Sequence, residues 1–466
     1  MIPIDVLPDD VLLEIFDFYM NVIVYEGNEG DNMGIEAWQS LVHVCRRWRV
    51  LVFESPRRLN LRLVCTHKTP TRDKLAAWPA LPLLIHDTMT PSQDFDNIIA
   101  ALEQSNRVYQ VGLWYLAGWQ LKKVLATMQV PFPGLTFLNL YSNDETVPVI
   151  PDSFLDGSAP RLRDFTLAGI PFPGLPKLLL SATNLVHLGL INIPHSGYIS
   201  PEAIVALISP LSSLEFLSLE FRSPQSRPDW ESRPWPPSKR SVIPALNYFY
   251  FKGVIGYLED VVAFIDAPQL NTLDIIFFDQ IDFDFTRLAQ FINRTPTIRA
   301  LNEAHVQFDD NVVRVGHQRW SGTLGISISC REPDWQLSCI GQVCNSSLHV
   351  PSTVEVLYIE HRHRRLVWKN DAIENTLWLQ LLLPFTAVKD LYVSKEFGPG
   401  IAAALQELVG ARITDVLPSL QNIFMERLKA SRPLEENIGR FVAARLLSDH
   451  PITISAWDKD SNMKST

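Results

Sequence analysis

A six-residue phrase recurs along most of this chain and limits what it can fold into: an apolar residue, two variable ones, an apolar, one variable, an apolar. Copies stand at Val108–Leu113, Leu135–Leu140, Leu162–Leu167, Leu185–Leu190, Leu214–Leu219, Leu246–Phe251, Leu270–Ile275, Val354–Ile359, Val388–Val393 and Leu420–Met425. Their starts lie 23 to 32 residues apart as far as Leu270, and 34 and 32 apart after Val354. Two weaker copies, Ile298–Leu301 and Leu324–Ile328, fall in the gap between. The last two apolar sites of each copy are two residues apart, the period of a half-buried strand. Between copies, Gln120–Met128, Pro201–Ile208, Glu259–Ile265, Thr286–Phe291, Ile373–Leu383 and Ile401–Leu408 carry apolar residues near helical spacing. One such unit cannot bury its own apolar face, whereas a stack of them can. The spacing predicts an α/β chain in which a parallel sheet is backed by outer helices.

This rhythm is similar to the leucine-rich repeat, which implies a solenoid with one strand per copy. The repeat family places Asn or Cys three residues after the third apolar site. Asn143 obeys, but Ile170, Ile193 and Arg222 stand at the next three such sites, so an irregular array is expected. Strand residues between the pattern sites turn outward. Phe137, Asn139 and Tyr141, then Tyr248 and Tyr250, then Tyr358 and Tyr392 therefore line the expected concave face. There they serve either as aromatic anchors for a protein substrate or as a shield over the sheet. Pro224–Arg240, with five prolines and two tryptophans, reads as a surface loop, either an irregular insert or a partner-contacting flap. Asn437–Leu447 is a helix candidate for covering the open end of the sheet, within a C-terminal cap spanning 437–460. Residues 461–466 read as a disordered tail.

The first fifty residues follow a different period. Leu7-Pro8-Asp9-Asp10 is a helix start, with proline in the first turn and two carboxylates at the positive end of the helix dipole. Val11, Leu12, Ile15, Phe16 and Tyr19 follow as an apolar stripe, opposite Glu14 and Asp17. Beyond an acidic, glycine-containing turn, Trp38, Leu41, Val42, Cys45, Trp48 and Val52 form a second helical face. Leu7-Pro8, Ile15-Phe16 and Val44-Cys45-Arg46-Arg47-Trp48-Arg49, in that order, resemble the F-box, the module by which substrate receptors dock on a Skp-type adaptor. Trp114–Trp119 and Asn293–Pro296 extend the likeness to the expanded fungal F-box proteins.

The resemblance implies a helical F-box domain over residues 1–60, a linker and N-terminal cap of the solenoid over 61–107, and repeats over 108–436. It further implies an adaptor face made of Leu7, Pro8, Ile15, Phe16, Val44, Cys45 and Trp48. The chain would then be a non-catalytic substrate receptor of an SCF-type, cullin–RING ubiquitin ligase, with the adaptor, the cullin scaffold and a protein target as partners. Read without the resemblance, the hairpin is a pair of helices capping a larger core, and the chain a leucine-rich-repeat interaction scaffold.

Composition narrows the rest. The chain has 466 residues, 47% of them hydrophobic, enough for a large core. Its net charge of −10 argues against a general nucleic-acid binder. Five scattered cysteines fit free thiols. Asp5, Asp9 and Asp10 stand where a secretory signal has cations, and no apolar run reaches membrane-spanning length, so a cytoplasmic or nuclear location is expected.

No catalytic residue set, metal or cofactor is expected. Cys330, Cys339, Cys344 and His349 lack the paired spacing of a zinc site. His43 and Cys45, two apart on a helix, point about 200° from each other. Asp279, Asp282 and Asp284 read as a cation site or as helix capping, and His361–Arg365 as a solvated loop or a rim for an acidic peptide.

Overall fold

The structure is a computed structural model of the chain, describing residues 6–26, 36–89, 95–144, 146–172, 175–224, 240–278, 284–298, 302–316, 323–346, 350–362, 374–408, 410–426 and 432–457. It divides into two compact units, Met1–Tyr198 and Ile199–Thr466. Each carries a mostly parallel sheet with helices in the connections.

The first unit opens with helices α1 (Asp9–Glu26), α2 (Trp38–Val42) and α3 (Arg46–Glu54). Strands β1 (Leu63–Cys65), β2 (Leu83–Thr88), β3 (Val108–Trp114), β4 (Phe137–Tyr141), β5 (Asp164–Ala168) and β6 (His187–Ile193) follow. Helices α4 (Thr71–Ala77), α5 (Asp96–Leu102), α6 (Gly118–Thr127) and α7 (Leu175–Ser181) lie between them, with a 3-10 turn at Phe154–Gly157 before β5.

The six strands pair in chain order, all parallel. Their register is set by the repeat phrase. Val111, Leu138, Phe165 and Leu188 form one row across the sheet and Leu113, Leu140, Leu167 and Leu190 another, all buried. A slip by one residue would turn both rows to solvent.

Residues 61–107, expected as linker and cap, hold two strands and two helices of the same array. Leu63, Cys65, Leu83 and Ile85 occupy the last two apolar sites, but the first site falls on Asn60 and Ala80, and the apolar side chains Leu61 and Leu81 come one residue later. The ladder answers with a register shift between Leu83 and Leu84. The turn after β4 also differs from expectation. Asn143 is exposed, and Ser142 fills the buried position instead, its hydroxyl donating to the Leu116 carbonyl at 2.7 Å. Gly169, with φ +72°, passes this turn so closely that a Cβ would strike the Ser142 carbonyl.

The second unit contains β7 (Phe216–Phe221), β8 (Ser241–Val242), β9 (Tyr248–Gly253), β10 (Ile265–Asp266), β11 (Thr272–Phe277), β12 (Glu303–Phe308), β13 (Val312–Gly316), β14 (Thr323–Ser329), β15 (Val356–His361), β16 (Asp390–Val393), β17 (Asn422–Glu426) and β18 (Thr453–Trp457). Its helices are α8 (Pro201–Ile208), α9 (Ile255–Phe264), α10 (Thr286–Arg294), α11 (Pro333–Asn345), α12 (Asn375–Leu382), α13 (Gly398–Gln406) and α14 (Arg432–Leu447). The main sheet runs β7-β9-β11-β14-β13-β12-β15-β16-β17-β18, and β8 pairs with β10 apart from it.

An all-parallel array was expected, but β13 is antiparallel to both β12 and β14. Of the weaker copy expected at Ile298–Leu301, residues 299–301 lie outside the described residues. Pro296–Ile298 is a 3-10 turn, and the strand that follows is β12, which turns Ala304, Val306 and Phe308 inward. The C-terminal helix does not end the sheet either. α14 packs on α13, with Ile438 against Ala402, and β18 adds a further parallel strand beyond it. Residues 225–239 of the proline-rich stretch lie outside the described residues.

Neighbouring helices also support one another's ends. Buried Glu259 of α9 accepts the backbone N–H groups of Arg287 and Leu288, at 2.8 and 2.7 Å, and so caps the first turn of α10. At the helix start itself, Asp284 Oδ1 accepts from the backbone N–H and hydroxyl of Thr286, a capping contact of its own. Asp279 and Asp282 lie outside the described residues.

Candidate protein-docking faces

The helical segment of the first unit buries one side of α1 and exposes the other. Leu12 and Phe16 turn inward, and Phe16 packs on Trp48 of α3 with ring centroids 4.7 Å apart. Val11, Ile15, Phe18 and Tyr19 face out, with Phe18 72% exposed. The stripe expected to be one face is thus two. Leu7, Pro8, Val11, Ile15 and Phe18 recur at near four-residue steps on the outer one, where Pro8 is exposed and Leu7 half-buried. Val44, 58% exposed, adds an apolar side chain from the turn before α3. A water-facing apolar stripe on a helix whose inner face is already filled is a candidate interaction surface.

Of the seven residues assigned to an adaptor face, Leu7, Pro8, Ile15, Val44 and Cys45 are at least partly accessible. Phe16 and Trp48 are not, because their rings fill the interior between α1 and α3. Val11 and Phe18 take their place on the surface.

Two polar contacts hold this geometry. Arg47 donates to the Leu7 carbonyl at 2.6 Å and to Asp9 Oδ1 at 2.6 and 3.1 Å, tying the Leu-Pro entry of α1 to α3. Cys45 Sγ accepts the Trp48 N–H at 3.5 Å and caps α3. On the other side, the Trp38 indole N–H donates to the Arg62 carbonyl at 3.0 Å, and Glu36 accepts the Val64 N–H at 2.7 Å while pairing with Lys74. The hairpin is thereby seated on β1.

The sheet faces carry the second set of candidates. In the first unit Phe137, Asn139 and Tyr141 are half-buried on the outward side of β4. Phe137 stacks on His86 at 5.7 Å, and Tyr141 meets Tyr115 edge-on at 5.1 Å. Burial holds the His86 imidazole below its usual pKa.

In the second unit Tyr248 stacks on Phe216 at 4.6 Å, and Tyr250 lies one row further along the same face. Tyr358 and Tyr392 belong to a continuous ladder. His305, Tyr358, Tyr392 and Phe424 are cross-strand partners on four adjacent strands, stacked 4.3 to 4.4 Å apart, with Trp457 edge-on to Tyr392 at 5.3 Å. Glu303 and Glu360 approach the two ring nitrogens of His305 at 2.7 and 3.3 Å. Burial, reinforced by Glu303, Tyr392 and Glu360, pushes the Tyr358 hydroxyl up to about 12, and Tyr248, Tyr250 and Tyr392 shift the same way for the same first cause.

Sequence reasoning missed His305, Phe424 and Trp457. Phe424 was within reach, since it holds the outward site of the Leu420–Met425 copy. His305 lies on β12 and Trp457 on β18, strands that no copy of the phrase announces.

The remaining candidates are structural. His361 belongs to β15 itself, buried and edge-on to Phe397 at 6.1 Å, so it is no part of a rim; Arg362 is exposed and residues 363–365 lie outside the described residues. Cys339 and Cys344, five apart on α11, diverge by about 140°. Both are buried, and burial pushes the Cys344 thiol up to about 12. Among the described residues no three His, Cys, Asp or Glu side chains gather as a metal site, and no helix is long and apolar enough to cross a membrane.

Strand-and-helix repeats with aromatic rows on the outward face define an α/β repeat protein. No known family model matches the chain, and no curated protein matches its sequence. Among solved structures it is similar to the leucine-rich repeat-containing protein LegL7 from Legionella pneumophila, with 11% identity over 82% of this chain and 97% of that one, at a TM-score of 0.27.

Proposed function

We propose that this chain is a non-catalytic substrate receptor that docks a Skp-type adaptor of a cullin–RING ubiquitin ligase through its N-terminal helices and holds a protein target on its strand faces. One observation carries the reading: the exposed stripe Val11, Ile15 and Phe18 with Val44, beside half-buried Leu7, on a segment whose interior is already packed by Phe16 and Trp48. The F-box-like order of Leu7-Pro8, Ile15-Phe16 and Val44–Arg49 supports the choice of partner. A receptor of this kind raises the local concentration of a target beside the enzyme that modifies it.

The test is co-purification of the full chain with a Skp-type adaptor, beside a Val11→Ser, Ile15→Ser, Phe18→Ser variant. Capture by the wild-type chain and its loss in the still-folded variant would establish the docking face. Absence of capture by the wild-type chain would sink the ligase reading.

A second reading has its own support. Trp38 and Glu36 fasten the hairpin to β1 and α4, as a capping pair on a repeat array would. On that reading the chain is an interaction scaffold that binds partners through the strand faces alone.

A further inference from the structure

Away from both docking faces, the first unit has a cavity of about 380 Å³ beside the N-terminal ends of β1, β2 and β3. Its walls are the apolar side chains of Pro56, Leu61 and Pro82, the ring of Tyr109, and the side chains of Arg57 and Arg62. That volume lies at the lower end of small-molecule sites, roughly 300–1,000 Å³.

Arg62 is held in place from three sides. Its carbonyl accepts the Trp38 indole N–H at 3.0 Å, its Nε donates to Asn60 Oδ1 at 3.1 Å, and its guanidinium carbon lies 4.6 Å over the Tyr109 ring. Asn60 has φ +48°, a left-handed conformation that asparagine tolerates better than most residues. These contacts use Nε and one face of the guanidinium. They leave the terminal amino groups as the fork that grips an oxyanion with two parallel hydrogen bonds.

Among the described residues no carboxylate pairs with Arg57 or Arg62, although the chain has 51 acidic residues against 41 basic ones. A third guanidinium stands behind the wall. Arg107 donates to the carbonyls of Leu81 and Pro79 at 3.1 and 3.2 Å, partners that leave its charge uncancelled. Two cations and no carboxylate line the cavity. An arginine already fixed on an aromatic ring loses little freedom when it binds.

We infer that this cavity binds a small anionic molecule carrying a phosphate or carboxylate on an apolar body. Arg62 grips the oxyanion in bidentate fashion, Arg57 adds a second charge, and Pro56, Leu61 and Pro82 cover the body. The inference is independent of adaptor binding.

The test is calorimetric titration of the full chain with phenyl phosphate, benzoate, inorganic phosphate and benzyl alcohol. Saturable one-to-one binding of phenyl phosphate or benzoate is expected, with inorganic phosphate weaker for want of a body and uncharged benzyl alcohol silent. The first two probes separate phosphate from carboxylate as the preferred group. Arg62→Met should weaken the better anion at least tenfold and Arg62→Lys less, since lysine keeps the charge but not the fork. Arg57→Gln, at an exposed position, should weaken it several-fold with the thermal transition unchanged, which keeps the test meaningful if the Arg62 variants unfold. No saturable binding of either aromatic anion, or equal affinity in the Arg57→Gln and Arg62→Met chains, overturns the inference.

Discussion

The ring of Phe16 lies 4.7 Å from that of Trp48, with the two planes tilted by 58°, and this pair fills the space between the first and third helices. Truncating either ring leaves a cavity, which for a buried aromatic costs about 3–5 kcal/mol. Phe16→Ala and Trp48→Ala are expected to melt the helical segment early, visible in proteolysis or hydrogen exchange of residues 9–54. Serine at Val11, Ile15 and Phe18 removes exposed surface and should leave that segment protected. Loss of adaptor capture in the Phe16 and Trp48 variants would therefore report unfolding, and only the outer positions report contact.

A second expectation concerns Gly325, on β14. The Arg314 side chain crosses this residue to reach Asp274, with Nη2 3.4 Å from Oδ1. A Cβ on Gly325 would overlap that Nη2 and sit 2.9 Å from the carboxylate. Gly325→Ala is expected to cost about 1–3 kcal/mol by overpacking, read from the urea midpoint. In an Arg314→Ala background the same substitution should cost distinctly less, because the crossing side chain is gone. Equal costs in the two backgrounds would show that the crossing is not what needs glycine.

Tyr358 gives a dependence on alkaline pH. Its hydroxyl is pushed up to about 12 from an ordinary value of 10.0. A group whose pKa is raised by folding contributes stability below its unfolded value and loses it as pH rises through the folded one. Stability should thus fall between pH 10 and about 12, and Tyr358→Phe should fall less steeply over that window. Parallel denaturation curves of the two chains across that range check it.

Thiol accessibility separates the five cysteines. Cys65, Cys330, Cys339 and Cys344 are buried and Cys45 is half-buried at the start of α3. In the native chain at neutral pH, iodoacetamide should modify Cys45 well before the others, as intact-mass spectra and peptide mapping would reveal. Early modification of Cys344, whose thiol burial pushes up to about 12, would contradict its placement.

Much of the sheet was readable because a parallel ladder keeps a fixed register. Once Val111 pairs with Leu138 and Leu138 with Phe165, Leu188 of the next copy falls in the same row. What escaped was local. β1 and β2 place exposed Asn60 and Ala80 at the first site of the phrase, so their copies carry only two of its three large apolar marks. Nothing in Glu303–Phe308 or Val312–Gly316 announces strand direction, since alternation is the same whichever way a strand runs.

Of the candidate adaptor residues, Leu7, Pro8, Ile15, Val44 and Cys45 are at least partly accessible, and Phe16 and Trp48 are buried. Leu12, Ile15 and Phe16 are equally apolar in sequence, and only the packing of Trp48 decides which side of α1 faces water. The cavity beside Arg62 left no trace in the periodicity, because it joins residues from three successive turns of the chain.

The reversal at β13 also governs how a chain of this kind can change length. Where strands all run one way, a repeat can be lost or duplicated and the cut ends still meet. Between β11 and β15 that freedom disappears. Removing β12 or β14 alone would bring β13 beside a strand it was not shaped to meet, whereas removing β12, β13 and β14 together would rejoin β11 to β15 with their directions matched. Any deletion that restores a single strand direction between β11 and β15 must therefore take β13 with it.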